Sequence, residues 1–411
     1  MRFRLLLLAL LPGAAAPLSA QQTFSEPDLS WLDRAASLSQ PLGSGGAGGL
    51  QWEWGAVLDV IGEWSEVDSL ERINEVRPRS VALHGAARLE DFGRAFALVD
   101  FSGSGDGSDL ILREAGGWLD LLPWNANLRF GKYFADVGAW NRTQLSEFPS
   151  PNLDGMRRDF FGGNLAVTGV ELHQGFDFGG DGFRWSVGIA NDMEGQDPDT
   201  VGNGVADRAD GRNHFGQDGV DTWLGTARVE FGWNNNDNQM TLGASMVYAP
   251  DEIWYTYVNP DRILGNADDR SVRDEVRDFM AGIDFRYFKQ LGPEQWHAAT
   301  VEIWGKKNQY RMTSGPFDTR AGLGAWGMYE LGFDQDWSGG YLLSYWETSH
   351  YDIEDEGSYN GIFLNRNIGP EHRIRVFFNH TNPGFARQKY YIGGIQYTFR
   401  FGAPRRSALL W

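Results

Sequence analysis

The chain has 411 residues, a formal net charge of -19 and no cysteine. Without thiols it can form no disulfide, thiolate zinc site or cysteine nucleophile, and its acidic balance argues against nucleic acid or an anionic lipid surface as a partner. Past the amino terminus no apolar run approaches the roughly 18 residues that a helical membrane span requires.

Met1 to Ala20 reads as a secretory signal peptide: basic Met1-Arg2-Phe3-Arg4, an apolar core from Leu5 to Leu11, and a cleavage site at Leu18-Ser19-Ala20. Pro12, Gly13 and Pro17 follow the apolar core too closely for a stable membrane helix. No cysteine follows the signal, which excludes lipid attachment through a lipobox thiol. Residues 21–49 form a separate piece. Ser25 and Asp28 give an N-cap signal, Trp31, Leu32, Ala35 and Ala36 an apolar stripe, and Gly43 to Gly49 a glycine-rich linker. Two readings stay open for this periplasmic helix: it sits under or inside the sheet that follows, or it is a loosely ordered lead-in.

From Leu50 to Phe401 the pattern predicts sixteen strands, near 50–62, 79–90, 93–102, 110–121, 127–135, 164–178, 182–191, 222–233, 239–248, 276–289, 295–305, 320–334, 337–347, 358–367, 371–380 and 389–401. The eighth shows the period most clearly. Trp223, Gly225, Ala227, Val229, Phe231 and Trp233 face one way, and Thr222, Thr226, Arg228 and Glu230 the other. A charge facing lipid near the bilayer centre costs about 2–4 kcal/mol, so Arg228 and Glu230 are assigned to a wet interior. The tenth strand places Asp284 and Arg286 inward in the same way, and the last places Arg400 inward.

The connections alternate. Short turns such as 179–182, 234–238, 292–294 and 368–370 interleave with longer links at 63–78, 136–163, 192–221, 249–275, 306–319 and 348–357. Tight periplasmic turns and long extracellular loops are the signature of an all-β transmembrane antiparallel β-barrel of the Gram-negative outer membrane, here spanning 50–401 with a tail at 402–411. The 17 Trp and 14 Tyr are assigned to aromatic girdles at the two lipid–water boundaries. No segment is long enough for the globular plug of an energy-coupled transporter, whose barrel has about 22 strands.

The connection 136–163 is the candidate pore loop. Trp140, Asn141, Arg142, Glu147, Arg157, Arg158 and Asp159 are its candidate constriction residues, because a proline- and aromatic-rich loop suits an ordered insert better than a solvated tether. The competing reading has the loop packed only on the rim. Arg79, Arg88, Arg184, Arg228, Arg286, Arg373, Arg375 and Arg400 are the candidate lumen wall, with Glu53, Asp59, Asp100, Glu171, Glu230, Asp284, Glu302 and Glu330 interspersed so that cross-strand pairs satisfy one another and selectivity from the wall is weak. The acidic loop 192–221 lacks calcium-loop spacing, and Trp254, Tyr255 and Tyr257 are placed in the loop after it. The seven histidines, His84 and His173 at inward parity among them, form no recognisable nucleophile, metal or acid–base signature. No catalytic residue, metal or cofactor is implied.

The run Leu128-Arg129-Phe130-Gly131-Lys132-Tyr133-Phe134, followed by Gly138, Asn141, Pro149 and then Phe161-Gly162-Gly163-Asn164-Leu165-Ala166-Val167-Thr168-Gly169-Val170-Glu171-Leu172, resembles the porin O/P-like (phosphate-selective porin) superfamily. That resemblance implies a sixteen-stranded channel with an inward third loop, often a homotrimer. The lysine and arginine ladder behind phosphate selectivity in that superfamily is missing here, where Asp and Glu outnumber Lys and Arg by 55 to 36. The expected function is passive diffusion of small polar solutes or ions through a water-filled pore. The alternative is a non-conducting barrel acting as a surface binding or structural protein through its acidic extracellular loops. Expected partners are outer-membrane lipid and lipopolysaccharide and the barrel-assembly machinery, which reads a terminal aromatic. Phe401 ends the last strand, yet residues 402–411 follow and finish in Trp411.

Overall fold

The computed structural model describes residues 44–47, 50–67, 70–89, 93–104, 107–120, 126–143, 146–149, 155–161, 164–178, 181–194, 223–235, 238–258, 270–311, 318–348, 355–369, 371–382 and 389–402. The signal peptide, the helical pattern at 25–39, the acidic loop beyond Glu194 and the tail after Gly402 lie outside them. In chain order the elements are β1 (Ser44–Ala47), β2 (Leu50–Val67), β3 (Leu70–Leu89), β4 (Gly93–Ser104), β5 (Gly107–Leu119), β6 (Ala126–Phe134), α1 (Gly155–Phe161), β7 (Ala166–Asp177), β8 (Asp181–Glu194) and β9 (Leu224–Asn235). They continue with β10 (Asn238–Val258), β11 (Arg270–Gln290), β12 (Trp296–Arg311), β13 (Asp318–Gly332), β14 (Trp337–Thr348), β15 (Asp355–Ile368), β16 (His372–Asn382) and β17 (Tyr390–Gly402).

Strands β2 to β17 each pair antiparallel with the next, and β17 pairs back onto β2 from Tyr390↔Val67 to Gly402↔Gly55. The sheet is therefore a closed sixteen-stranded antiparallel barrel. Closure leaves no unpaired edge in lipid, where each unmet backbone group costs several kcal/mol. β1 lies within the glycine-rich segment read as a linker; it pairs with the start of β2, from Ser44↔Glu53 to Ala47↔Leu50.

Every predicted strand meets one observed strand, and most run further at the long-connection end. The link read at 63–78 is mostly strand, because β2 continues to Val67 and β3 begins at Leu70. β10 likewise passes a register shift between Ala249 and Glu252 and pairs through Val258, so Trp254, Tyr255 and Tyr257 lie on a strand and not in a loop. Beyond the lipid neither face must be apolar, so the period-two signal disappears while the hydrogen-bonded ladder continues.

The outer face carries an aliphatic belt that includes Val187, Leu242, Ile283, Val301, Leu343, Leu364, Val376 and Ile395, all exposed. Aromatics border it, with Trp54 against Phe401 at 5.5 Å on the short-turn side and Trp64 against Phe378 at 5.9 Å on the other. The girdle assignment fails for four strand tryptophans: Trp118, Trp304, Trp326 and Trp346 are buried inside. Their parity explains it, since Trp304 stands two residues after inward Glu302 and Trp326 four before inward Glu330.

Candidate functional site inside the barrel

The chain leaves β6 and returns at β7 through a neck closed by backbone and side chain. The Ala135 N–H donates to the Leu165 carbonyl at 2.9 Å. The Asn141 amide donates to the carbonyls of Ala135 at 2.8 Å and Leu165 at 3.0 Å, and its oxygen accepts from the Leu165 N–H at 2.5 Å. A short amide that supplies both donor and acceptor holds the two stems of the loop together.

Past the neck the loop turns into the bore, because its partners are inward-facing residues of distant strands. Asp136 accepts from Ser186 on β8 at 2.9 Å and ion-pairs with Arg142 at 2.9 Å and Arg184 at 3.5 Å. Gly138, at φ 63°, donates from its N–H to the Ser245 hydroxyl at 3.0 Å. The next two N–H groups, of Ala139 and Trp140, both donate to Glu302 Oε1 on β12 at 2.5 and 2.7 Å. A left-handed residue is needed to aim three successive donors at the wall, and a Cβ on Gly138 would come within 2.9 Å of the same carboxylate.

The second half of the loop reaches the opposite wall. The Ser146 carbonyl accepts from Arg373 at 2.5 Å and Gln396 at 3.0 Å, and the Phe148 carbonyl accepts from Arg375 at 2.7 Å. Glu147 accepts from Arg373 at 3.0 Å and, through both oxygens, from Arg400 at 3.0 and 3.1 Å. Helix α1 then closes the loop onto itself: Arg157 donates to the Trp140 carbonyl and, at 2.9 Å, to Asn164.

Between the two walls lies an aromatic layer. Trp140 meets Trp326 at 4.5 Å and Phe148 at 5.8 Å, and Phe161 meets Trp304 at 4.9 Å. Met156 and Phe160 occupy the space over Gly324, where a Cβ would collide with Met156 Cγ. The interior is thus charged along the wall and apolar where the loop crosses, whereas the strand pattern alone suggests water and charge throughout.

Of the predicted loop residues, Trp140, Asn141 and Arg157 are buried structural members, Arg142 serves Asp136, and Glu147 keeps a side-chain exposure of 28%. Arg158 and Asp159 fall on α1, with side chains outside the described set. The predicted wall residues Arg184, Arg228, Glu230, Asp284 and Arg286 form one net. Arg228 donates to Asp284 at 2.6 and 2.9 Å and to Glu230 at 2.7 Å; Glu230 also takes Arg286 at 2.6 Å and Arg184 at 2.9 Å. Arg79 pairs with Asp59 at 2.6 Å on another part of the wall, and Arg88 is half-buried. Glu302 and Arg400, both read as lumen-wall residues, join the site. Asp136, Trp304 and Trp326 complete it without having been singled out as constriction or wall residues; inward parity was the signal for the two tryptophans.

Two loop carboxylates are electrostatically tuned. Burial pushes the Asp136 carboxyl up, but the guanidiniums of Arg184, Arg142 and Arg228 outweigh it and hold the group well below its usual range. Glu147 follows the same logic, with Arg400 and Arg373 overcoming the burial. Asp136, Glu171 and His173 bring three ligand-type atoms within 4.8 Å of one another. Both carboxylates are already shared with guanidiniums, including Arg129 on Glu171 at 2.6 Å, so a dication there would sit among like charges. Ser186 stands directly across from His173, yet its hydroxyl goes to Asp136.

A closed sixteen-stranded cylinder with an apolar outer belt and a loop folded into its bore defines an outer-membrane β-barrel of the porin type. Solved structures share that fold across most of this chain. Outer-membrane expressed OmpT of Vibrio cholerae is 9% identical with a TM-score of 0.53, covering 87% of this chain and 100% of its own. The outer membrane channel DcaP of Acinetobacter baumannii is 10% identical at 0.52, covering 88% and 100%. An anion-selective porin from Comamonas acidovorans is 9% identical at 0.51, covering 86% and 100%. No protein-family model and no curated protein matches the chain. The likeness supports a porin-type barrel and does not single out the O/P-like superfamily.

Proposed function

We propose that the chain is a passive, non-enzymatic pore for small polar or charged solutes, in which the loop 136–163 forms the constriction. The supporting observation is that this loop crosses the bore and is tied to both walls, to Glu302 on β12 and to Arg373 on β16. Charged inward side chains beside it keep contact with water: Glu147 at 28%, Arg400 at 18% and Arg184 at 16% exposure. A solute route alongside the loop would pass these three groups, so they are its proposed filter.

Planar-bilayer recording tests this reading. Stepwise conductance that grows when residues 144–154 are replaced by a short glycine–serine link is expected. Absence of any step from the folded protein, with and without that replacement, would overturn it. The aromatic layer of Trp140, Phe148 and Trp326 favours one rival, a closed barrel that works through its outer loops, and a silent bilayer would select that rival.

A further inference from the structure

The outer face, near the short-turn rim, carries an arrangement that a pore does not need. On β12 and β13, His297 Nδ1 lies 3.3 Å from the Tyr329 hydroxyl; on β16 and β17, His372 Nδ1 lies 2.7 Å from the Tyr397 hydroxyl. The two pairs are built alike. His297 stands across from Leu331 and His372 across from Phe399, and in both cases the tyrosine precedes that partner by two residues.

The preceding strand adds a cation to each. Lys289 stands directly across from His297, and Arg366 lies two residues before Ile368, which stands across from His372. Aromatic rings fix the imidazoles: His297 lies edge-on to Tyr287 at 5.3 Å, and His372 stacks on Phe399 at 5.0 Å. Among the described residues neither Lys289 nor Arg366 forms an ion pair with a carboxylate, and the Arg366 guanidinium lies over the Trp337 ring at 5.3 Å. Two of the nearby turn carboxylates are otherwise engaged, Glu294 by Gln335 and Asp334 by the N–H groups of Asp336 and Trp337. His297 Nε2 is shielded and has no hydrogen-bond partner.

A cation beside a phenol whose oxygen is held by an imidazole offers two donors to a phosphate. When Nδ1 carries the ring proton and donates to the phenol oxygen, the phenol O–H is left to point a donor at the anion, and the shielded Nε2 of His297 takes no part. The rim where the aliphatic belt ends is the level of lipid headgroups, and the short turns assign it to the periplasmic leaflet. The overall charge of -19 repels a free anion. A lipid phosphate is instead held at the wall by its acyl chains, which would lie on exposed Val301 and Ile303 above His297 and on Val376 above His372.

We propose that the triads Lys289–His297–Tyr329 and Arg366–His372–Tyr397 each bind the phosphate of one glycerophospholipid of the periplasmic leaflet. This is independent of whether the barrel conducts.

The test counts phospholipid retained by the full-length protein after reconstitution with phosphatidylglycerol and phosphatidylethanolamine and exchange into mild detergent, by native mass spectrometry and phosphorus assay. The native sequence should hold one phospholipid per triad. Lys289→Gln with His297→Gln should lose one, Arg366→Gln with His372→Gln the other, and the fourfold variant both, with heat-modifiable gel mobility confirming a folded barrel. Should a glutamine variant fail to fold, Tyr329→Phe and Tyr397→Phe, which remove only an exposed hydroxyl, should still lower retention. Folded variants that keep as much phospholipid as the native sequence, or a native protein that keeps none, overturn the proposal.

Discussion

The loop is fastened to the barrel at two places that differ in kind. Around Asp136 and Glu302 it meets a net in which Asp136, Glu171, Glu230, Asp284 and Glu302 interleave with Arg129, Arg142, Arg184, Arg228 and Arg286. Acids and bases match in number there, and Asp136 and Arg228 each keep only 1% exposure. Around Glu147, three guanidiniums, of Arg373, Arg375 and Arg400, surround one partly wet carboxylate. A matched net that is dry around Asp136 and Arg228 fixes geometry, because removing either strands its partners. A wet site with surplus positive charge holds the loop weakly and leaves a field that a passing solute can sense.

Breaking the dry anchor should have the largest effect. Asp136→Ala leaves Arg142, Arg184 and Arg228 without the loop carboxylate and should cost about 3–5 kcal/mol. The readout is a lowered thermal midpoint in detergent and faster tryptic cleavage within the loop; unchanged values would erase the contrast between the anchors. Gly138→Ala comes next. The left-handed φ of 63° costs a side chain about 1–2 kcal/mol, and the Cβ would crowd Glu302, so the same proteolysis assay should show an intermediate loosening.

At the wet anchor, Glu147→Gln should change stability by no more than about 1 kcal/mol. It should nevertheless shift reversal potentials across a salt gradient toward anions, since Arg373 and Arg400 lose the negative charge of Glu147. A large loss of stability with no change in selectivity would reverse the roles given to the two sites. Acidification should have the smallest effect. A carboxyl held below its unfolded value, 4.5 for glutamate and 3.8 for aspartate, contributes stability above that value and loses it as pH falls through the depressed one. Loop protection against proteolysis by pepsin-like and trypsin-like enzymes should therefore stay flat between neutrality and about pH 5.

Much of the barrel was legible in the chain because membrane insertion imposes a local rule. Each strand must alternate lipid and lumen on its own account, so β9 and β11 showed their inward Arg228, Glu230, Asp284 and Arg286 without reference to any neighbour. Where that rule lapses, the reading weakens. The ends of β3 and β10 continue as paired strand outside the bilayer, and α1 forms inside a segment read as loop. Seven residues of helix carry too short an apolar period to announce themselves against their flanking glycines and prolines.

The sequence by itself determined the number of strands and, across the bilayer, the alternation of lipid and lumen faces along each of them. Those properties follow from a period of two residues and from composition, which need no partner. Only the tertiary structure decided which inward groups meet, because Glu147 and Arg373 stand 226 positions apart and nothing local couples them. It likewise decided that Trp304 and Trp326 pack against the loop instead of greeting lipid, since barrel closure brings every inward face to bear on the same narrow space.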